Sequence, residues 1–184
     1  MTTAKPFAFE DLASYKKGAA LPGYPPNIIT LFSPEDDVHG ALLALVASAT
    51  RSLVLNMFTY TDADLDAAIH EKLADEKVYV QMSLDKDQSA VKNEQGLLKG
   101  WAGAVGNSIA IGNSAKGAYS HLKLLVVDGI YTVDGSTNWT ASAETKQDNS
   151  VRVFKDPVIA AESRAILDLN HSSMLKQMGG KGAP

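Results

Sequence analysis

The 184-residue chain reads as one α/β domain: a mixed, mostly parallel central sheet with helices on both faces. Two observations predict this. Short, nearly continuous apolar runs rich in β-branched residues recur as buried strands. Helical periodicity with capping signals separates the early runs, giving strand, helix, strand, helix, strand, the order that implies parallel pairing with helices packed on the sheet. With 45% apolar and 21% charged residues, the composition suits a soluble domain with a sizeable core.

Residues 1–27 read as an N-terminal extension, with a short helix around Phe9 to Lys17 and a loop at Leu21-Pro-Gly-Tyr-Pro-Pro26. Such a segment can cover a sheet edge, gate a site or contact a partner chain. Ile28 to Phe32 is the first strand. Ser33 reads as an N-cap with Pro34 at the first helical position, and the helix runs to about Thr50 with Val38, Leu42, Leu45, Val46 and Ala49 as its buried stripe. Ser52 to Tyr60 is a central strand, and Asp62 caps a second helix whose inner face carries Leu65, Ile69 and Leu73. Val78 to Leu84 is the next strand. The loop Asp85 to Gln88 leaves its carboxyl end, where ligands bind in open α/β sheets.

Residues 89–104 read as a helix or lid, with Trp101 as a core residue in preference to a base-stacking one. Ser108 to Ile111 is a short strand. Lys116 lies on the Gly- and Ser-rich loop that follows, as a solvated residue or a phosphate contact. Leu122 to Val127 is a buried strand, Asp128-Gly129 a turn, Ile130 to Val133 its partner strand and Asp134-Gly135 a second turn. Val151 to Phe154 is the last strand, and Asp156-Pro157 opens a helix to about Met178. The catalytic domain is therefore 28–178, with 179–184 a flexible tail.

The chemistry gathers around His121-Leu-Lys-Leu-Leu-Val-Val-Asp128 and Gly135-Ser-Thr-Asn138. Side chains alternate along a strand, so His121 and Lys123 share one face. The following hairpin returns Ser136 and Asn138 toward the level of His121. An imidazole can attack phosphorus or protonate a leaving oxygen, while an ammonium and an amide can hold phosphoryl oxygens. Asp128 ends the strand with the opposite parity to His121, so a structural role is expected of it.

No metal ligand is needed for this chemistry, and none is expected. His39, His70 and His171 fall on helices without a metal-ligand partner at suitable spacing and read as surface or packing residues. The absence of cysteine excludes disulfides, thiolate metal sites and cysteine catalysis.

The complete pattern His121-x-Lys123-x4-Asp128-x6-Gly135-Ser136-x-Asn138 resembles the motif of the phospholipase D superfamily. The continuation Trp139 to Lys146 is similar to its single-motif bacterial endonuclease branch, and the resemblance covers about Ile28 to Lys176. It implies a phospholipase D-like fold and a catalytic set of His121, Lys123, Asp128 and Asn138. His121 would form a phosphohistidine, with Lys123, Ser136 and Asn138 binding the phosphate. Two chains would pair to share one site, so a homodimer is expected. Relatives carry Glu-Asn after this stretch, the Glu orienting the histidine, where this chain has Gln147-Asp148-Asn149-Ser150. The His-orienting residue is thus open among Asp148, Asn149 and Glu144.

The expected activity is that of a metal-independent phosphodiesterase without cofactors, foremost a nonspecific nuclease with DNA or RNA as substrate. The alternatives are a phospholipase or cardiolipin hydrolase acting on phospholipid, and a non-catalytic phosphate-binding module. A net charge of −4 argues against a bulk basic nucleic-acid binder. From Lys86 to Lys123, however, five lysines (86, 92, 99, 116 and 123) against Asp87 and Glu94 give a local +3. No secretory signal or membrane-spanning run is visible. The compartment stays open: a soluble protein of the cytoplasm or, if a signal has been removed, of the periplasm or exterior.

Overall fold

The computed structural model describes residues 7–19, 21–90 and 109–179. Its seven strands form one sheet: β1 (Ile28–Ser33), β2 (Ser52–Met57), β3 (Tyr79–Asp85), β4 (Ile109–Gly112), β5 (Lys123–Val127), β6 (Tyr131–Gly135) and β7 (Asn149–Lys155), in the order β1-β7-β6-β5-β2-β3-β4. The helices are α1 (Val38–Ser48), α2 (Ala63–Ala74), the short α3 (Lys86–Ser89) and α4 (Ala141–Thr145), and the long α5 (Pro157–Gly179), preceded by a 3-10 helix at Phe9–Tyr15. Trp101, Lys92, Lys99 and most of the stretch read as a lid lie outside the described residues. The same holds for most of the tail.

The mixed α/β sheet is as expected, with a different balance of pairings. Five strands point one way, and β5 and β7 oppose them. Because β6 lies between those two, only β2–β3 and β3–β4 pair in parallel, and the other four of the six pairings are antiparallel. The helical crossover through α2 enforces the first parallel pair, whereas the tight turn at Asp128-Gly129 can only reverse the chain.

Period-two alternation divides the core between the faces. Leu53, Leu55 and Met57 of β2 and Leu125 and Val127 of β5 pack with α1 and α2. Val54, Leu124 and Val126 face the other way, onto Ala160 and Leu167 of α5. The buried stripe of α1 is Val38, Leu42, Leu45 and Val46, continued by Ala49, as its periodicity predicts. Its start is not at Ser33. The Asp36 carboxylate accepts from the Phe32 and Lys17 N–H groups and closes a turn over this stretch, and Asp37, accepting from Gly40 N–H at 2.9 Å, is the N-cap. Asp62 caps α2 as expected, accepting from Leu65 N–H at 2.8 Å.

The 3-10 helix buries Phe9 and Leu12 in the α1 side of the core. Beyond it, the Lys16 ammonium donates to the Thr30 carbonyl at 2.5 Å, so this segment covers the β1 edge of the sheet. At the opposite edge Gln177 and Met178 of α5 receive the Asn113 and Ile111 N–H groups. No helix among the described residues is long and apolar enough to cross a membrane.

Gly135, at the end of β6, has a packing reason to lack a side chain. A Cβ there would overlap the Ser150 carbonyl of β7, which is the acceptor for Ser136 N–H. Gly135→Ala is expected to destabilise the fold by roughly 2–4 kcal/mol through backbone displacement, read as a lower denaturation midpoint in urea with a loss of activity in proportion to unfolding.

Candidate active site

Lys123 opens β5 opposite Met57 of β2, so its stem enters the sheet and its side chain is only 7% exposed. The ammonium emerges at the strand end beside His121, 3.1 Å from Nε2 and 3.2 Å from Nδ1, and donates to the His121 carbonyl at 2.9 Å. It also sits 4.7 Å from the centre of the Phe58 ring, and that ring lies 4.4 Å from the imidazole. Burial depresses the Lys123 pKa to about 8. A half-buried aromatic and a charged amine thus hold an exposed imidazole between them.

What aims His121 is a network of buried polar residues just upstream. The Asp85 carboxylate, fully buried at the end of β3, accepts from Ser120 N–H at 2.7 Å through one oxygen. Its other oxygen caps α3 by accepting from the Asp87 and Gln88 N–H groups. The Ser120 hydroxyl is held by the Asn56 amide of β2 at 3.0 Å. Asp85 opens the loop marked in the sequence at a strand's carboxyl end, but neither Ser120, after a Gly- and Ser-rich loop, nor Asn56, inside an apolar run, stands out.

Asn138 reaches the same strand end by another route. The next residue, Trp139, bridges to Tyr60, donating to the Thr59 carbonyl and accepting from the Thr61 and Asp62 N–H groups. Asn138 is thereby moored beside the segment that carries Phe58. Its Oδ1 is buried without a hydrogen-bond partner. Lys116 is exposed on the loop leading to His121, where Tyr119, 60% exposed, sets its ring edge-on to Phe58.

The recorded hydrogen bonds of the remaining sequence-derived candidates run to other partners. Ser136 donates to the Asn149 side-chain oxygen at 2.8 Å and accepts from Ser150 N–H, which ties β6 to β7. Asn149 donates to the Ala143 carbonyl. Asp148 is exposed on a shallow groove shared with Pro34, Glu35 and Ser136. Glu144 meets His39, not His121, with Oε2 2.5 Å from Nδ1. Burial pushes the Glu144 carboxyl up to about 7, against the pull of His39 and with Asp62 adding to the rise. The expectation that His39 lacks ligand-type neighbours thus fails, because Asp62, Asp64 and Glu144 all converge on its ring from distant parts of the chain. His171 is a packing residue, buried and paired with Ser83.

Asp128 sits at the other end of β5, roughly 20 Å from His121 at the rise of an extended strand. Its carboxylate gathers the Thr50, Arg51 and Ser52 N–H groups at 2.8–3.0 Å and the Thr50 hydroxyl at 2.9 Å. Asp128 itself adopts φ 56°, a left-handed conformation that Asp tolerates better than most residues. Its part in the motif is to fasten the start of β2 to the turn after β5.

The fold is that of an open mixed sheet carrying a histidine-lysine pair at the strand ends, and it defines a phospholipase D-type protein. Residues 42–169 match the family model described as "Cardiolipin synthase, PLD-like domain", and the chain belongs to this family within the phospholipase D superfamily. It is 31% identical over 126 residues, 68% of this chain and 54% of the relative, to the mitochondrial cardiolipin hydrolase of Chlamydomonas reinhardtii. The chain spans about half the length of the curated relatives it matches. Among solved structures it is similar to Nuc, a phospholipase D family member from Salmonella typhimurium (TM-score 0.67, 22% identity, 79% of this chain and 94% of that one). NucT from Helicobacter pylori gives a TM-score of 0.70 at 18% identity, with 79% and 96% covered.

Burial alone would raise the Asp128 pKa, but the backbone N–H groups of Ser52, Thr50 and Arg51 outweigh it and hold the carboxyl below its ordinary value. Stability from this group is therefore present above pH about 4 and lost as pH falls through the lowered native value. Asp128→Asn is expected to cost roughly 1–3 kcal/mol at pH 7 and to flatten the fall in stability as pH drops below about 4, measured by urea titrations at a series of acid pH values.

Proposed function

We propose that the chain is a metal-independent phosphodiesterase, foremost a nuclease of low sequence specificity, working through a phosphohistidine at a site shared by two copies. The observation that carries this is the contact of the His121 ring with the Lys123 ammonium at 3.1 Å on a rigid strand end. The ammonium stands beside the ring, where its charge can meet the oxygens of the phosphoryl group that the imidazole attacks. One ring nitrogen attacks phosphorus and forms an N–P bond as the P–O bond to the leaving group breaks. The leaving oxygen takes a proton from His121 of a second copy, reached across a two-fold axis. That second imidazole, now neutral, accepts a proton from water as the water cleaves the N–P bond. Lys123 and Asn138 hold the non-bridging oxygens through both steps.

Two features support nucleic acid as substrate. Tyr119 offers an exposed ring at the lip, and aromatic rings stack on bases regardless of sequence. The near end-to-end cover of the chains of Nuc and NucT also fits the single-motif endonuclease branch that the sequence resembles. A second reading, hydrolysis of cardiolipin or another phospholipid, draws on the relatives named mitochondrial cardiolipin hydrolase. A non-catalytic phosphate-binding module is the outcome if neither substrate turns over.

In excess EDTA the native protein is expected to cleave single- and double-stranded DNA, and His121→Ala to lose at least about 10³-fold in rate. Cleavage of cardiolipin vesicles without cleavage of DNA would select the lipid reading, and a sedimentation profile of monomers with activity undiminished on dilution would remove the shared site. The second expectation concerns pH. Only charged Lys123 binds a phosphoryl oxygen, so kcat/KM should fall as pH rises through about 8, and Lys123→Arg, at reduced activity, should carry that limb upward.

A further inference from the structure

Away from the His121 pair, three elements bring acids to one imidazole. His39 stands in the first turn of α1, Asp62 and Asp64 at the start of α2, and Glu144 in α4. His39 Nδ1 lies 2.5 Å from Glu144 Oε2 and 3.5 Å from Asp62 Oδ2, and Nε2 lies 3.5 Å from Asp64 Oδ2. Donor atoms of His39, Asp62 and Asp64 all fall within 4.8 Å of one another. Asp62 spends Oδ1 on capping α2, which leaves Oδ2 for the cluster.

Glu144 supplies a second, independent sign of a ligand. It is 1% exposed, its carboxyl is directed at the His39 ring, and its Oε1 has no hydrogen-bond partner. A buried carboxylate oxygen left without a donor is costly. Hydrogen bonding to His39 explains Oε2 but not Oε1. His39 is the basic side chain that faces Asp62, Asp64 and Glu144, and no lysine or arginine is recorded in an ion pair with the cluster among the described residues. A cation supplies both the missing partner and the missing charge.

We propose that His39, Asp62, Asp64 and Glu144 form a binding site for a divalent cation of the Zn2+ or Mn2+ class, which ties α1 to the start of α2 and to α4. One imidazole with several carboxylates and no thiolate is the donor set that suits such ions. The site stands apart from the cleavage steps. Its effect on them is indirect, since Asp62 N–H and the Trp139 carbonyl are bonded at 3.1 Å and Asn138 precedes that tryptophan. The ion therefore steadies the segment that carries the phosphate-binding amide.

The test uses the full chain stripped of metal by a chelator and then dialysed free of it. Calorimetric titration with ZnCl2 and MnCl2 is expected to show one ion bound per chain. Thermal melting at a hundredfold excess over Kd should rise by roughly 5–10 °C. Asp64→Asn alters an exposed residue and threatens neither core nor cap, and it should weaken binding about tenfold. Glu144→Gln should abolish the thermal shift while keeping the folded circular-dichroism spectrum. If Glu144→Gln fails to fold, Asp64→Asn and His39→Gln decide. Absence of stoichiometric binding to the native chain, or binding that none of these substitutions weakens, overturns the site. Cleavage of DNA in EDTA by the native chain, compared with His121→Ala, tests the phosphodiesterase reading with the ion removed, while calorimetric binding tests the cation site, so the two proposals fail separately.

Discussion

The ammonium of Lys123 is the constraint around which the site is built. A lysine whose stem is buried in the sheet favours its neutral form, and a pKa of about 8 in place of 10.5 corresponds to roughly 3 kcal/mol of disfavoured charge. The Phe58 face and the His121 carbonyl and ring offset part of that cost. An anionic oxygen beside the ammonium would offset more. Because Lys123 is buried at the start of β5, its charge is less free to relax into solvent than that of a surface lysine.

That arrangement needs walls that do not move, and the two faces of the sheet provide them. On one face, Met57, Leu125 and Val127 lock β2 to β5 under α1 and α2. On the other, buried Asn56, Asp85 and Ser120 exchange hydrogen bonds and set the direction in which His121 leaves the sheet. Apolar packing thus fixes the strand, and polar satisfaction fixes the chain just before it. Asp128 secures the distal end of the same strand, so that β5 is held at both ends by side chains of opposite function.

The His121-Lys123 pair was legible because the two are close in sequence and strand parity alone joins them, whereas the bridge from Trp139 to Tyr60 that holds Asn138 joins segments far apart in the chain. The strands and the stripe of α1 were legible from apolar runs and periodicity. Asn56 and Ser120 were not, since 64 residues separate them. His39 and Glu144, 105 residues apart, were hidden for the same reason, and no local spacing rule could have joined them. The start of α1 was misplaced because Ser33-Pro34 carries a capping signal that the Asp36 and Asp37 side chains override. The balance of pairings was missed because alternating apolar residues mark a strand without marking its direction.

The outermost strand on one side of the sheet is β1, and its pairing partner is β7, so Ile28 lies opposite Phe154. More than a hundred residues must therefore be in place before the first strand of the chain has anything to hydrogen-bond. During synthesis β1 leaves the ribosome early and waits, exposed, while the sheet grows from β2 and β3, whose parallel pairing needs only the short crossover through α2. The Lys16 and Asp36 side chains that satisfy its backbone are local in sequence and available at once. They guard the outer edge of β1 both before and after pairing, and the late arrival of β7 on its other edge makes β1 the closing seam of the sheet.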